Sequence, residues 1–148
     1  MKKIFIFLIL SLAIISSSKS EEFFEDITYQ LIDNQPRLSY GVSVSDVNKD
    51  GNFEFIVTGF GFNNLALAYK KGILFNSIDQ NLFLDKNRKT IGVASCDIDQ
   101  DGFEEIYFLN TDTYSGNKRY SDRLLDFDGN DFYDLFELEI NQKNLNLT

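Results

Sequence analysis

The stretch GVSVSDVNKDGNFEFIV at positions 41–57 occurs a second time, without a gap, as GVASCDIDQDGFEEIYF at positions 92–108. In each copy an acidic segment with one glycine separates two short runs that are rich in β-branched and aromatic residues. Such runs favour strands over helices. Because the two copies lie 51 positions apart, the sequence predicts one β-sheet unit used twice.

Each unit continues into a second pair of predicted strands. LALAYKKGILF at positions 65–75 and LLDFDGNDF at positions 124–132 both have the pattern of strand, tight turn and strand. Residue pairs that favour positive φ in a two-stranded hairpin stand at the turns, namely Lys71-Gly72 and Asp128-Gly129. Each unit therefore predicts four strands, one on either side of the acidic segment and two in a hairpin.

Four-stranded sheets that recur every 40–50 residues or so are typical of β-propeller blades. We assign the units to positions 38–80 and 90–140, within one segment at positions 21–148. A closed propeller typically has about 4 to 8 blades, whereas this segment provides only about two to two and a half. The predicted fold is all-β and corresponds to an incomplete propeller ring.

The acidic segments at positions 46–54 and 97–105, which we call the first and second acidic loops, share their spacing of oxygen-bearing residues. Side-chain oxygens stand at loop positions 1, 3, 5 and 9, and glycine stands at position 6 so that the carbonyl of position 7 can turn inward. Calcium prefers six to eight oxygen ligands in a flexible geometry. The sequence predicts two calcium sites, with ligands Asp46, Asn48, Asp50, Asn52 and Glu54 in the first and Asp97, Asp99, Asp101, Phe103 and Glu105 in the second, where Asn52 and Phe103 use main-chain carbonyls.

An EF-hand, a magnesium site and a solvated turn each fit these loops less well than calcium does. An EF-hand needs an acidic residue at position 12, where this chain has Val57 or Phe108. Magnesium keeps its waters and demands octahedral geometry, and a solvated turn does not account for two matching copies. The second acidic loop has four carboxylates and the first has three, so we expect the second to bind calcium more tightly.

A third acidic stretch, at positions 126–134, imitates the spacing with Asp126, Asp128, Asn130 and Asp134. It has Asp131 where the loops have glycine. We interpret it as a hairpin turn, although metal binding there stays an alternative.

The ends and the composition point to an exported acidic protein. Residues 1–20 have the order of a secretory signal, with lysines, an apolar run at positions 4–15 and small residues before Glu21. The run is shorter than the roughly 20 residues of a transmembrane helix, so we expect no membrane span. Removal of this segment takes away three lysines and no acid, which lowers the formal charge from −9 to −12. A balance of this sign disfavours nucleic acid as a partner.

Export predicts an oxidising compartment, yet Cys96 is the chain's one cysteine. We expect it to be a buried, inert thiol, with an intermolecular disulfide as the alternative. Histidine is absent, which removes the commonest general base and makes much catalytic chemistry improbable.

LSYGVSVSDVNKDGNFEFIV at positions 38–57 and IGVASCDIDQDGFEEIYFLN at positions 91–110 resemble the FG-GAP/VCBS repeats of integrin α-type propellers. They resemble more closely the N-terminal region of the cartilage acidic protein family. The resemblance implies a secreted matrix or cell-surface glycoprotein that binds calcium through these loops and has protein partners. The family's further repeats and EGF-like segment have no counterpart in this sequence, which agrees with the incomplete ring.

The resulting functional hypothesis is a non-enzymatic, extracellular or cell-surface protein-interaction module in which calcium is structural. One alternative is calcium-dependent binding of carbohydrate or matrix glycans through Tyr114, Tyr120 and the loop at positions 111–118. Another is a glycan-processing hydrolase with paired carboxylates, although the acids with recognisable spacing are assigned to metal. The acceptor sequence at Asn146 leaves glycosylation undecided.

Overall fold

The computed structural model describes residues 23–31, 34–111 and 120–138, so the predicted signal segment, Tyr114 and Asn146 lie outside the described residues. Eight strands form two antiparallel sheets, ordered β1-β2-β3-β4 and β5-β6-β7-β8. The strands are β1 Val42–Ser45, β2 Glu54–Val57, β3 Leu65–Lys70, β4 Ile73–Asn76, β5 Thr90–Cys96, β6 Glu105–Asn110, β7 Arg123–Phe127 and β8 Phe132–Asp134. The prediction of two four-stranded β units is confirmed.

Helical structure is minor in the described part of the chain. It consists of a 3-10 turn at Thr28–Gln30 and a one-turn α-helix, α1, at Asn81–Leu84 between the two sheets. Asp85 ends α1 in the left-handed region with a φ of 43°. The sequence does not predict α1, because four residues are too few for a helical periodicity to be visible.

The two hairpins differ in their turns. In the first, Lys71 and Gly72 both have positive φ, 54° and 82°, and form the predicted two-residue turn. In the second, four residues separate Phe127 from Phe132, and only Gly129 of this turn has positive φ. The prediction of a positive φ at Asp128 was therefore wrong. The Asp128 carboxylate accepts hydrogen bonds from the main-chain N–H groups of Asn130 and Asp131 and so holds the longer turn.

One apolar core is shared by both sheets. The ring of Phe83, from α1, lies 5.7 Å from the Phe108 ring and 5.4 Å from the Phe132 ring. The helix therefore anchors the connection between the sheets onto the second sheet. The buried apolar residues are Val47, Ile56, Ala66, Ile78, Phe83, Ile106, Phe108, Leu125, Phe127 and Phe132.

The first strands of the two sheets lie against each other. The Ser43 and Ser95 hydroxyl oxygens are 2.9 Å apart, and the Ser95 hydroxyl also donates to the Val44 carbonyl at 3.3 Å. A methyl group on Gly41 would lie only 3.0 Å from the Cα atom of Gly92, so glycine at position 41 favours this close approach. Because β1 and β5 lie side by side, the first and second acidic loops, which follow these strands, also lie close together.

Cys96 is exposed at the end of β5, so the expectation of a buried thiol was wrong. Side chains alternate between the two faces of a strand. Because Ser95 turns toward β1, its neighbour Cys96 turns to the other face of β5, where it stands across from Glu105 and is exposed.

A buried network of ion pairs connects the end of α1 to the second hairpin. Arg123 donates to Asp85 through Nε at 3.0 Å and to Asp134 through Nη1 at 2.6 Å. Arg88 donates to the other oxygen of Asp85, also at 3.0 Å. Burial raises the pKa of Asp85, and the two guanidinium groups oppose that rise. The network satisfies charged groups that would otherwise be costly to bury.

We expect Arg123→Met to lower the free energy of unfolding by about 3–5 kcal/mol, because two buried carboxylates lose their shared partner. Arg123→Lys keeps the charge but not the planar guanidinium group that binds two carboxylates, so it should lower the free energy of unfolding by less. Urea denaturation measures both. A loss below about 1 kcal/mol for Arg123→Met would contradict the assigned role.

Candidate metal centre

The two acidic loops occupy the same connection in both sheets. Each follows the first strand and ends at the first residue of the second, so loop positions 1 and 9 lie at neighbouring strand ends. The backbone has positive φ at the same two loop positions, Lys49 and Gly51 in the first and Gln100 and Gly102 in the second. The repeated sequence therefore gives a repeated local conformation.

In the first acidic loop, main-chain N–H groups and a lysine occupy many of the side-chain oxygens. The Asp46 carboxylate accepts from the N–H groups of Asp50 at 3.0 Å and Gly51 at 2.9 Å. The Asp50 carboxylate accepts from the main chain and the side chain of Asn52, and it pairs with Lys70 Nζ at 3.2 Å. The Asn48 side-chain oxygen accepts from the Asp50 N–H at 3.0 Å.

The second acidic loop brings three of its predicted ligands closer together. One carboxylate oxygen each of Asp97, Asp99 and Glu105 lies within 4.8 Å of the others. In the described part of the chain, no other set of three acidic, histidine or cysteine side chains has this arrangement. Asp101 stays outside the set, and its carboxylate accepts from the Phe103 N–H at 2.8 Å.

The glutamate at position 9 of each acidic loop is almost fully buried. Glu54 is 1% exposed and Glu105 is 3% exposed, yet one oxygen of each carboxylate has no hydrogen-bond partner among the described residues. Asp97 Oδ1 is also buried and unpartnered within that part of the chain. A bare carboxylate oxygen in the interior is costly unless a donor or a cation satisfies it.

The charges of the loops act on these glutamates. Burial, followed by the nearby carboxylate of Asp50, raises the pKa of Glu54 to about 7. Burial also raises the pKa of Glu105, and Asp99 adds to the rise. Main-chain hydrogen bonds, from Val47 to Glu54 and from Ile98 to Glu105, oppose these rises in pKa.

Lys49 connects the two loops directly. Its Nζ donates to the main-chain carbonyl of Asp101 at 3.1 Å and lies 4.6 Å from the centre of the Phe103 ring. The Phe103 side chain also packs edge-on against Phe127. The first acidic loop thus contributes one cation to the surroundings of the second.

Two acids of the stretch at positions 126–134 already have other partners. Asp128 accepts from the Tyr133 hydroxyl at 2.6 Å, and Asp134 accepts from Arg123 at 2.6 Å. Main-chain N–H groups donate to the other oxygen of each carboxylate, so both side chains are satisfied by the protein. Tyr120, from the proposed glycan surface, lies under the guanidinium of Arg88 at 5.2 Å, while residues 112–119 lie outside the described part.

Two tandem antiparallel sheets, each with the same acidic loop between its first and second strands, define a β-repeat protein with candidate cation sites. The particular relatives are the cartilage acidic proteins. The chain is 41% identical to cartilage acidic protein 1 of Xenopus tropicalis over 139 aligned residues that cover 84% of this chain and 22% of that protein. The Homo sapiens and Mus musculus proteins are 37% and 36% identical over the same share of this chain.

This chain is therefore homologous to cartilage acidic protein 1, as the resemblance implied. It spans about a fifth of the length of these relatives, 21–22%. No family model matches the chain. Within the described residues, no helix has the length and apolar character needed to span a membrane.

The glycines at position 6 provide a test of the loop conformation. Gly51 and Gly102 have φ values of 82° and 92°, so alanine at either position should cost about 1–2 kcal/mol of stability. At Gly92 an added methyl group meets only Leu109, at 3.5 and 3.6 Å, and the substitution should be nearly neutral. Urea denaturation in the presence of a chelator compares the three alanine variants. Equal losses at all three positions would contradict a specific need for glycine at position 6.

Proposed function

We propose that this chain is a secreted, calcium-binding protein of the FG-GAP/VCBS repeat type, in which each sheet is a propeller blade and calcium is structural. We further propose that it is a non-enzymatic interaction module of the extracellular matrix or the cell surface. The observation that carries the calcium proposal is the buried, unpartnered glutamate oxygen at the same position of both acidic loops, within the described residues. The homology to proteins named for cartilage supports the extracellular setting.

The chemistry of the second acidic loop fits calcium. Oxygens bound to calcium at about 2.3–2.6 Å lie at most about 5 Å from one another. The carboxylate oxygens of Asp97, Asp99 and Glu105 already satisfy this condition, with a separation of at most 4.8 Å. Bound calcium would supply the positive charge that these groups lack, and the remaining ligands would come from Asp101, the Phe103 carbonyl and water.

The blade assignment is supported by the topology. Both sheets are four-stranded meanders whose strands follow the chain order, and their first strands lie side by side. An ion between loop positions 1 and 9 would fasten the first strand to the second in each sheet. Because the unfolded chain cannot hold these oxygens together, binding should stabilise the folded state by mass action.

The two acidic loops should differ in affinity. The second has four carboxylates, whereas the first has three and has Lys70 bound to Asp50. Calcium would have to displace or tolerate that ammonium group. We therefore propose that the second centre binds calcium more tightly, in agreement with the count of charges.

The outer surface of the first sheet favours a role in protein interaction over a role in catalysis. Val42, Val44 and Phe55 expose 63%, 51% and 48% of their surface on neighbouring strands. An apolar surface of this kind suits a protein partner more than a polar glycan. The net charge of −9 opposes binding to nucleic acid.

Thermal unfolding with calcium and with a chelator tests the proposal. Calcium at about 100 times its dissociation constant should add about 2.7 kcal/mol and raise Tm by about 10 °C. Glu105→Gln should remove most of this shift, whereas Glu104→Gln, the same change at the neighbouring residue, should keep it. An unchanged Tm of the unaltered protein would contradict structural calcium.

The role of Lys70 can be tested at the first centre alone, in an Asp97→Asn background. Lys70→Met should increase the calcium affinity of the first centre about two- to fivefold, because Asp50 becomes free to bind the ion. Lys71→Met removes the same charge from the adjacent turn residue and serves as the control. Isothermal titration calorimetry measures both affinities, and equal increases would show that only net charge matters.

A further inference from the structure

Asp126 lies on β7 beside the second acidic loop. The register between β6 and β7 ends with the pair Ile106 and Leu125, and the next residues outward along these antiparallel strands are Glu105 and Asp126, which we infer to stand opposite each other. Directly opposed residues have side chains on the same face of the sheet. Asp126 is therefore the cross-strand neighbour of the glutamate at loop position 9.

One oxygen of Asp126 has the same unusual environment as the predicted ligands. Asp126 Oδ1 is buried and has no hydrogen-bond partner among the described residues, and the same is true of Asp97 Oδ1 and Glu105 Oε1. The three bare oxygens come from three consecutive parts of the second sheet, the β5 end, β6 and β7. Glu105, only 3% exposed, lies between the other two, and its second oxygen, Oε2, accepts from the Ile98 N–H at 2.5 Å.

The acidic side chains of the second loop act electrostatically on Asp126. Burial raises the pKa of Asp126, and Asp101 and Asp99 raise it further. A cation bound among carboxylates that repel one another in a partly buried site relieves that repulsion.

The first sheet provides an internal comparison. Glu54, the counterpart of Glu105, is paired across the strands with Ala68, which is 3% exposed. The corresponding place in the second sheet has the carboxylate of Asp126. The two units therefore differ by one acidic group on the third strand of the sheet. This position lies outside the acidic loop, so the loop spacing does not identify it as a ligand.

We propose that Asp126 is a further ligand of the second metal centre, supplied by β7, so that this centre gathers five carboxylates around one calcium ion. This inference rests on the proposed calcium binding. It also places Asp126 in the second centre rather than in a third one at positions 126–134. The ion would then tie β7, as well as β5, to β6 and fasten the second hairpin to the loop.

The test compares Asp126→Asn with Asp131→Asn in the full chain. Asp131 is exposed, lies in the turn of the same hairpin and loses the same charge. Calcium titration by calorimetry should show at least a tenfold weaker second centre in Asp126→Asn, an unchanged first centre, and two unchanged centres in Asp131→Asn. In chelator, Asp126→Asn should be as stable as the unaltered protein or more stable, because carboxylate repulsion is relieved.

The outcomes separate this inference from the proposed function. Two centres of unchanged affinity in Asp126→Asn would overturn the ligand role and leave the calcium proposal intact. An unaltered protein that binds no calcium would overturn both. A lower Tm in chelator would assign Asp126 a structural role instead of a ligand role.

The reciprocal variant keeps the inference testable if Asp126→Asn does not fold. Ala68→Asp gives the first sheet the carboxylate of the second, and it should tighten the first centre about tenfold while lowering stability in chelator. The competing effect of net charge is controlled by Lys71→Met, which makes the same change of one unit on the next hairpin turn. An affinity of the first centre that rises no more than in this control would overturn the inference.

Discussion

The glutamate that begins the second strand of each sheet is the constraint on which the arrangement of both acidic loops depends. Glu54 is carried into the interior by the alternation of its strand, since Ile56, two positions later, must face the core. Glu105 is buried at the corresponding place of β6. Each has an oxygen that no described donor satisfies. The loops, the paired strand ends and the neighbouring acids are all arranged around this unsatisfied charge.

The two centres share a backbone but differ electrostatically. In both, main-chain N–H groups donate to the loop carboxylates, and in the first Lys70 also pairs with Asp50. In the second, the carboxylates converge, and Lys49, the cation contributed by the first loop, contacts a main-chain carbonyl instead of a carboxylate. Such differences arise from single side chains on adjacent elements while the loop spacing is unchanged. Two copies of a repeat can therefore keep the same fold while the charges around their acidic loops differ.

Local sequence predicted the elements well, because strand patterns, positive-φ turns and the acidic spacing all depend on near neighbours in the chain. The four strands of each unit and the Lys71-Gly72 turn are examples. Long-range features were not predictable in this way. The exposure of Cys96 depends on which face of β5 meets β1, and the position of Asp126 depends on the register between β6 and β7. The ion pairs of Arg123 likewise join residues 11 and 38 positions away.

Cys96 has a practical consequence because of where it lies. It is the one cysteine of the chain, it is exposed, and it stands between Ser95 and Asp97 directly across from Glu105. A fluorophore or spin label coupled to this thiol would be attached at a single position at the rim of the second acidic loop. The natural sequence thus already contains a labelling site from which the local electric field and motion of that loop can be followed spectroscopically.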